Sequence, residues 1–290
     1  MKIAIFGNNF QIEKNQQVLQ LIKSLKDHGF DICIERKFCE FIKQNFNADI
    51  TECEPFEGND FETDLAISVG GDGTFLTTAA CVGDKGCPIL GFNTGRLGFL
   101  ADVTPDVIDQ ALDNVIEGNY IVEQHTVLKA CIKYNSELQY CYALNEVALL
   151  KHDNSSTIDI KTFVDGELLT NYTADGLVVC TPTGSTGYSL SAGGPILVPQ
   201  SKSFCLTAVA PHSISIRPVV LSDDVEIMLE VKSRSGKFML AVDGRSSSFS
   251  DKTRISLCKA PHTIGVMKVQ HKFYFDTLRE KLMWGGGRNN

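Results

Sequence analysis

The residues of this chain best suited to chemistry are glycines gathered around a single acid. Gly70-Gly71-Asp72-Gly73-Thr74 follows the apolar run Leu65-Ala66-Ile67-Ser68-Val69. A buried strand that ends in such a turn delivers it to the carboxyl edge of a parallel sheet, where α/β folds bind ligands. Glycines let the backbone take positive φ and approach a phosphate closely, and a following helix presents its N-terminal amides to an anion. Asp72 would repel a bare phosphate. It suits accepting the proton of an attacking hydroxyl, or holding Mg²⁺. The plain structural alternative is a tight strand–helix turn in which Asp72 caps the helix.

Three further groups stand out. Gly91-Phe92-Asn93-Thr94-Gly95-Arg96-Leu97-Gly98-Phe99-Leu100 offers backbone amides, an Asn and an Arg at the same sheet edge, with a structural loop as the alternative. Residues 173–195 hold Asp175, Thr183, Ser185, Thr186, Tyr188, Ser189 and many glycines. Hydroxyls and glycines with one aromatic are what hydrogen-bonding a nucleotide and stacking on a base require. Asn145-Glu146 interrupts an apolar strand, where an amide and a carboxylate could grip a ribose or an amino group. His125 and His212 belong to no motif. The chain has no G-x-x-x-x-G-K-[ST] and no G-x-S-x-G, and Leu76 stops Gly71-Asp72-Gly73 from extending to G-x-G-x-x-G. A P-loop protein, an esterase elbow and a dinucleotide-binding dehydrogenase are thereby disfavoured.

The elements that position these groups fall into two patterns. Strands at 2–6, 31–35, 65–69 and 88–92 alternate with helices at 12–28, up to 46, after the glycine loop to about 80, and 105–117. The first helix is read from the spacing of Val18, Leu21, Ile22 and Leu25, and the fourth begins with Thr104 as N-cap and stops at Gly118. Residues 52–64 read as a loop. This alternation predicts an open, largely parallel sheet over residues 1–120. From 121 to 267 the runs are short, alternating or β-branched (125–134, 137–151, 158–164, 176–180, 225–231, 238–242, 254–258), predicting an all-β domain. Residues 268–290 carry Phe273, Phe275, Leu278, Leu282 and Trp284, an apolar set expected to pack back onto the first domain.

With 290 residues, the chain is long enough for two such cores. A net charge of −8 without a basic run disfavours nucleic acid and anionic membranes as partners. No apolar stretch reaches the length of a membrane helix. The ten cysteines form no C-x-x-C pair and read as reduced, buried small residues, which together with a start unlike a signal peptide predicts a cytoplasmic location.

Taken together, Gly70-Gly71-Asp72-Gly73-Thr74, the 91–100 loop, Asn145-Glu146 and the 175–195 run resemble the NAD kinase family in content and in order over nearly the whole chain. The resemblance implies NAD and ATP as substrates, with NAD bound between an α/β and a β-rich domain. It also implies a divalent cation such as Mg²⁺, dimers or tetramers, and phosphoryl transfer to the 2′-hydroxyl of the adenosine ribose. Carried over, Asp72 contacts the ribose and activates its hydroxyl; Asn145, Glu146 and Asp175 bind NAD, and Thr186, Tyr188 and Ser189 line its pocket. Gly70, Gly71, Gly73 and Thr74 shape the phosphate loop, with Gly73 also at the substrate. Many members have alanine where this chain has Gly187, and some carry a basic residue at Thr173. The rival readings are a lipid kinase of the diacylglycerol or sphingosine type, which shares the Gly-Gly-Asp-Gly turn, a sugar-phosphate kinase, and a non-catalytic nucleotide sensor.

Overall fold

The computed structural model describes residues 1–8, 15–46, 49–95, 98–152, 156–269 and 274–283. The chain divides into two compact units: Met1–Gln124 with Ile264–Asn290, and His125–Thr263.

In the first unit the order is β1 (Lys2–Gly7), α1 (Asn15–Asp27), β2 (Asp31–Glu35), α2 (Arg36–Asn45), β3 (Glu54–Phe56), β4 (Leu65–Val69), α3 (Asp72–Val82), β5 (Ile89–Phe92) and α4 (Ile108–Glu117). The strands lie side by side as β3-β2-β1-β4-β5, all parallel. All five residues of β4 are buried, as a strand covered on both faces requires. Val18, Leu21, Ile22 and Leu25 of α1 join Ile3, Ile5 and Ile67 in one apolar core. The helix expected from residue 12 is seen from Asn15; residues 12–14 lie outside the described residues.

Several local expectations need correction. Residues 52–64 are not a plain loop, because β3 pairs with the edge of β2 there. Its Pro55 lacks an N–H and so sits where only an edge strand tolerates it, while Phe56 packs against Phe6 and Phe61. Thr104 does not cap α4. A 3-10 turn, Pro105–Val107, comes between them, and Thr104 makes no side-chain cap bond to its amides. The C-terminal helix, Tyr274–Leu282, buries Leu278 but leaves Phe275 57% exposed, so the apolar set does not all face inward. Phe273 and Trp284 lie outside the described residues. The helix sets Lys281 over the ring of Phe99, and Asn114 Nδ2 bonds the Val269 carbonyl just before it.

The second unit is antiparallel. Its elements are β6 (Ile121–Tyr134), β7 (Glu137–Ala143), β8 (Glu146–Lys151), β9 (Ile158–Val164), β10 (Glu167–Ala174), β11 (Gly176–Cys180), α5 (Tyr188–Ser191), β12 (Ser203–Val209), β13 (Val219–Ser222), β14 (Ile227–Lys232), β15 (Lys237–Val242), β16 (Arg245–Ser250) and β17 (Arg254–Lys268). One sheet runs β13-β12-β11-β8-β15-β16; strands β10-β9-β14-β17 and the β6–β7 hairpin form the other. Leu149, Leu177, Phe204 and Phe238 of the first share a core with Ile160, Tyr172, Leu229 and Ile255 of the second. Residues 137–151 are two strands rather than one, broken at Leu144 and Asn145. Strands β10, β12, β13 and β16 fall outside the runs read from sequence. The residues of β16, Arg-Ser-Ser-Ser-Phe-Ser, carry no apolar alternation and are held by pairing with β15.

Candidate active site

In the first unit, β4 runs straight into the glycine turn. Gly70 has φ +151, and a side chain there would strike Thr74 Oγ1 at 2.3 Å, so only glycine fits. Gly71 is the N-cap of α3 and Asp72 its first residue, without a side-chain cap bond. The capping alternative therefore fails. Instead the Asp72 carboxylate reaches 27–29 residues along the chain. Oδ2 accepts from the Phe99 amide at 2.9 Å, and Oδ1 from the Leu100 and Ala101 amides at 3.0 and 3.3 Å. Gly98 lies so close that a Cβ would come 2.1 Å from Oδ1. The amides at 99–101, which the sequence offers to a ligand, are thus directed at Asp72. Asn93 is used within the same loop, accepting from Gly95 N–H and donating to the Ala101 carbonyl. Arg96 lies outside the described residues.

A cavity of about 810 Å³ opens beside this turn, within the first unit. Gly73, Thr74 and Thr77 of α3, Gly7 and Asn8 at the end of β1, and the β2–α2 junction at Arg36 and Lys37 line it. It lies at the carboxyl ends of parallel strands, where the fold leaves a crevice.

In the second unit, a second aspartate organises a second loop. Asp243, at the β15–β16 turn, accepts from the Leu144, Asn145 and Glu146 amides at 2.8, 2.8 and 3.1 Å. Asp243 and Gly244 both have positive φ, +47 and +78, the geometry of a tight hairpin turn with Asp-Gly. The available sequence signal is this Asp-Gly directly after the strand-like run 238–242, which marks a turn but does not reveal what the carboxylate binds. From the other side, Thr181 N–H bonds the Asn145 carbonyl at 2.8 Å. Gly184 approaches so closely that a Cβ would meet that carbonyl at 2.2 Å.

The result exposes Asn145 and Glu146 to the 183–191 turn. The Tyr188 amide donates to the Glu146 carboxylate. Among the described residues, Asn145 Oδ1 and Glu146 Oε2 are buried without a hydrogen-bond partner. Orphaned buried acceptors call for an explanation, and a ligand donor is one. Burial, with the Asp243 charge nearby, pushes the Glu146 carboxyl up to about 7. Burial likewise raises Asp243, against its three amide bonds.

The remaining site residues separate. Tyr188 stands at the start of α5, 37% exposed, and Thr186 is half-buried. Ser189 is fully buried and its Oγ is bonded to Thr207 Oγ1 at 2.9 Å, so its hydroxyl faces the sheet. Asp175 is not beside Glu146. The β8–β11 register pairs Cys180 with Glu146 and Gly176 with Leu150, which sets Asp175 at the far end of that ladder. There it pairs with Lys151 at 2.8 Å and lines a polar cavity with His212 and Asp159. His125, outside every motif, is buried with Nδ1 2.8 Å from Thr183 Oγ1 and so supports the 183–191 turn.

Comparison with known proteins fits this division. Residues 3–120 match the ATP-NAD kinase N-terminal domain and residues 144–269 the ATP-NAD kinase C-terminal domain. The NAD kinase of Bacteroides fragilis is 48% identical over 285 residues, covering 98% of each chain. The chain belongs to the ATP-NAD kinase family. That of Porphyromonas gingivalis is 42% identical over 284 residues, again with 98% of each covered. Among solved structures, yeast NADH kinase complexed with NADH superposes with a TM-score of 0.88 at 25% identity, over 100% of this chain and 90% of that one. An Archaeoglobus fulgidus NAD kinase in complex with ATP gives 0.72 at 25% identity, over 98% and 99%. Members of the ATP-NAD kinase family are phosphotransferases, and these comparisons lend no support to a lipid kinase or a non-catalytic sensor. No helix among the described residues is long and apolar enough to cross a membrane.

Proposed function

We propose that this chain transfers the γ-phosphoryl group of ATP to the 2′-hydroxyl of the adenosine ribose of NAD, giving NADP and ADP. The observation that carries the reading is the state of the Asp72 carboxylate. An ionised carboxylate has about four lone-pair sites. Two on Oδ1 and one on Oδ2 accept backbone amides, which fixes the group rigidly and leaves one site on Oδ2. A ribose hydroxyl at that site gives its proton to Oδ2 as its oxygen bonds to the γ-phosphorus and the bond to the β-phosphate oxygen breaks.

The cavity beside Gly73 and Thr74 is the donor site, its glycine backbone lying close to the phosphates. Asn145, Glu146, Thr186 and Tyr188 hold the nucleoside of NAD, the tyrosine through its ring and the two orphaned oxygens as acceptors. Ser189 supports that turn from behind. Asp175, at the far end of the ladder, serves a second polar group of the dinucleotide. Residues 1–120 thus supply donor loop and base, and residues 121–267 the NAD contacts.

A divalent cation, Mg²⁺ by this chemistry, accompanies the triphosphate and neutralises the transferring charge. Among the described residues no three His, Cys, Asp or Glu side chains gather into a metal cage. A cation of this kind is held mainly by the phosphates and water. The reading also includes a cytoplasmic homo-oligomer. Incubating the protein with ATP, Mg²⁺ and NAD and weighing the products tests the core of it: a product heavier than NAD by one phosphoryl group is expected, and unchanged NAD refutes the activity.

A further inference from the structure

The three amides that fix Asp72 belong to residues 99–101, and both ends of that stretch are met by cations from the last part of the chain. Lys281 stands over the ring of Phe99. Lys268 Nζ donates to Asp102 Oδ2 at 2.7 Å, directly after the last of the three amides. This ion pair is largely withdrawn from water, with only 14% and 13% of the two side chains exposed.

The sheet brings these residues together. Val266 of β17 pairs in parallel with Ile89 of β5, on the side opposite β4, the strand that leads to Asp72. Past Asp102 the chain is fastened to the end of β5: Val103 N–H donates to the Gly91 carbonyl at 3.1 Å, and Asn93 N–H donates to the Val103 carbonyl at 2.7 Å. Residues 99–102 are therefore held by Asp72 through their amides and by Lys268 through Asp102. An ion pair this far from water is a poor stabiliser, since apolar residues of similar volume commonly do as well or better. What it supplies is direction. A charge-assisted hydrogen bond sets one geometry, whereas apolar contact is non-directional.

We propose that Lys268 is a positioning residue for phosphoryl transfer: by holding Asp102 it fixes the 99–101 amides, and through them the angle at which Asp72 presents its free Oδ2 site to the acceptor hydroxyl. The inference rests on the reading of Asp72 as the proton acceptor. Lys268 acts only through this loop and takes no part in proton transfer.

Steady-state turnover with ATP, Mg²⁺ and NAD, and thermal unfolding of the same full-chain preparations, test this. Lys268→Met keeps the stem and loses the charge. Its kcat should fall about 10–100-fold, since a misplacement on the order of 1 Å can cost about 10² in rate. KM for NAD and for ATP should stay within about twofold, the pattern of an interaction felt only in the transition state. Lys268→Arg keeps the ion pair and should bring kcat back to within about threefold of wild type. Lys268→Met also strands the Asp102 charge and destabilises the fold, so a double variant, Lys268→Met with Asp102→Leu, separates the two roles and decides the matter if the single variant does not fold. Its unfolding midpoint should recover, while its kcat stays about tenfold or more below wild type. Wild-type kcat in the double variant, or in folded Lys268→Met, makes the pair purely structural and overturns the assignment. Asp72→Asn, assayed alongside, keeps the two readings apart. If it loses turnover and the Lys268 variants do not, only the Lys268 assignment fails; if it turns over at the wild-type rate, the proton-acceptor reading fails and the Lys268 assignment falls with it.

Discussion

Asp72 and Asp243 do the same structural work in the two units. Each accepts three consecutive backbone amides from a distant loop, at 99–101 and at 144–146. Each is reached through a glycine that nothing larger could replace: Gly98 against Asp72 and Gly184 against the loop that Asp243 holds. The surroundings differ. Asp72 begins a helix and is half-buried at a cavity's edge. Asp243 is held deeper, beside a second carboxylate, and burial raises both it and Glu146. One device, a carboxylate gathering amides, therefore yields a group fixed at a surface in one unit and an organiser of another acid in the second.

Matched substitutions break or uphold this comparison. Asp72→Asn and Asp243→Asn each swap one oxygen for an amide nitrogen, which must face a backbone N–H it cannot accept. Each should lower unfolding free energy by about 1–3 kcal/mol, the cost of an unsatisfied donor. Turnover should separate them: Asp72→Asn loses the proton acceptor and should fall by about 10²–10⁴-fold, whereas folded Asp243→Asn should fall far less. Denaturation midpoints with kcat on the same preparations decide it. Equal loss of turnover in both would reduce Asp72 to a loop anchor.

The two units were unequally legible in the sequence. Parallel strands buried on both faces, such as β4, announce themselves as apolar runs, and α1 shows its face through Val18, Leu21, Ile22 and Leu25. Strands such as β16 are held by neighbours rather than by their own pattern. Asp72 was legible because glycines surround it. Its bonding was not, since the amides it gathers lie 27–29 residues away. Asp243 lies 97–99 residues from the amides it binds, and nothing local distinguishes it from an ordinary hairpin aspartate. The fully buried Ser189, bonded to Thr207, shows that a hydroxyl in a motif can also serve the core.

The raised Glu146 carboxyl sharpens the electrostatic half of the comparison. Folded, it loses its proton at about 7 rather than at the ordinary 4.5, so between those values the folded state holds more protons than the unfolded. Stability contributed by this site must then fall as pH rises through that window, with the full cost present above it. Glu146→Gln should flatten the slope and stabilise the protein at pH 8 by up to about 3 kcal/mol, and change little at pH 4. Urea midpoints at the two pH values measure this, and an unchanged slope would place the carboxyl in water. A smaller effect is expected at the partly exposed ring beside it. Tyr188→Ala should weaken NAD binding by about 1 kcal/mol beyond the area term, read by calorimetry, with the fold unchanged.

The smallest effect belongs to Gly187. Its φ of −93 lies outside the left-handed region that favours glycine. A Cβ would lie 3.1 Å from Glu146 Oε2, 3.2 Å from the Gly184 carbonyl oxygen and 3.4 Å from Asn145 Nδ2, tight on all sides, with the two side-chain ends freer to give than the backbone. Gly187→Ala should also cut the freedom of the unfolded chain, a gain of about 0.4–1 kcal/mol where the native backbone accepts alanine. The two terms oppose each other, and the flexible carboxylate should yield. The net change in stability is expected within about 1 kcal/mol of zero. The more telling readout is the Glu146 titration. A methyl group beside Oε2 excludes water further and should move its midpoint upward from about 7, visible as a shift in the pH dependence of unfolding. A downward shift would mean that alanine pushes the carboxylate out toward solvent, and that glycine at this position is what keeps Glu146 in place.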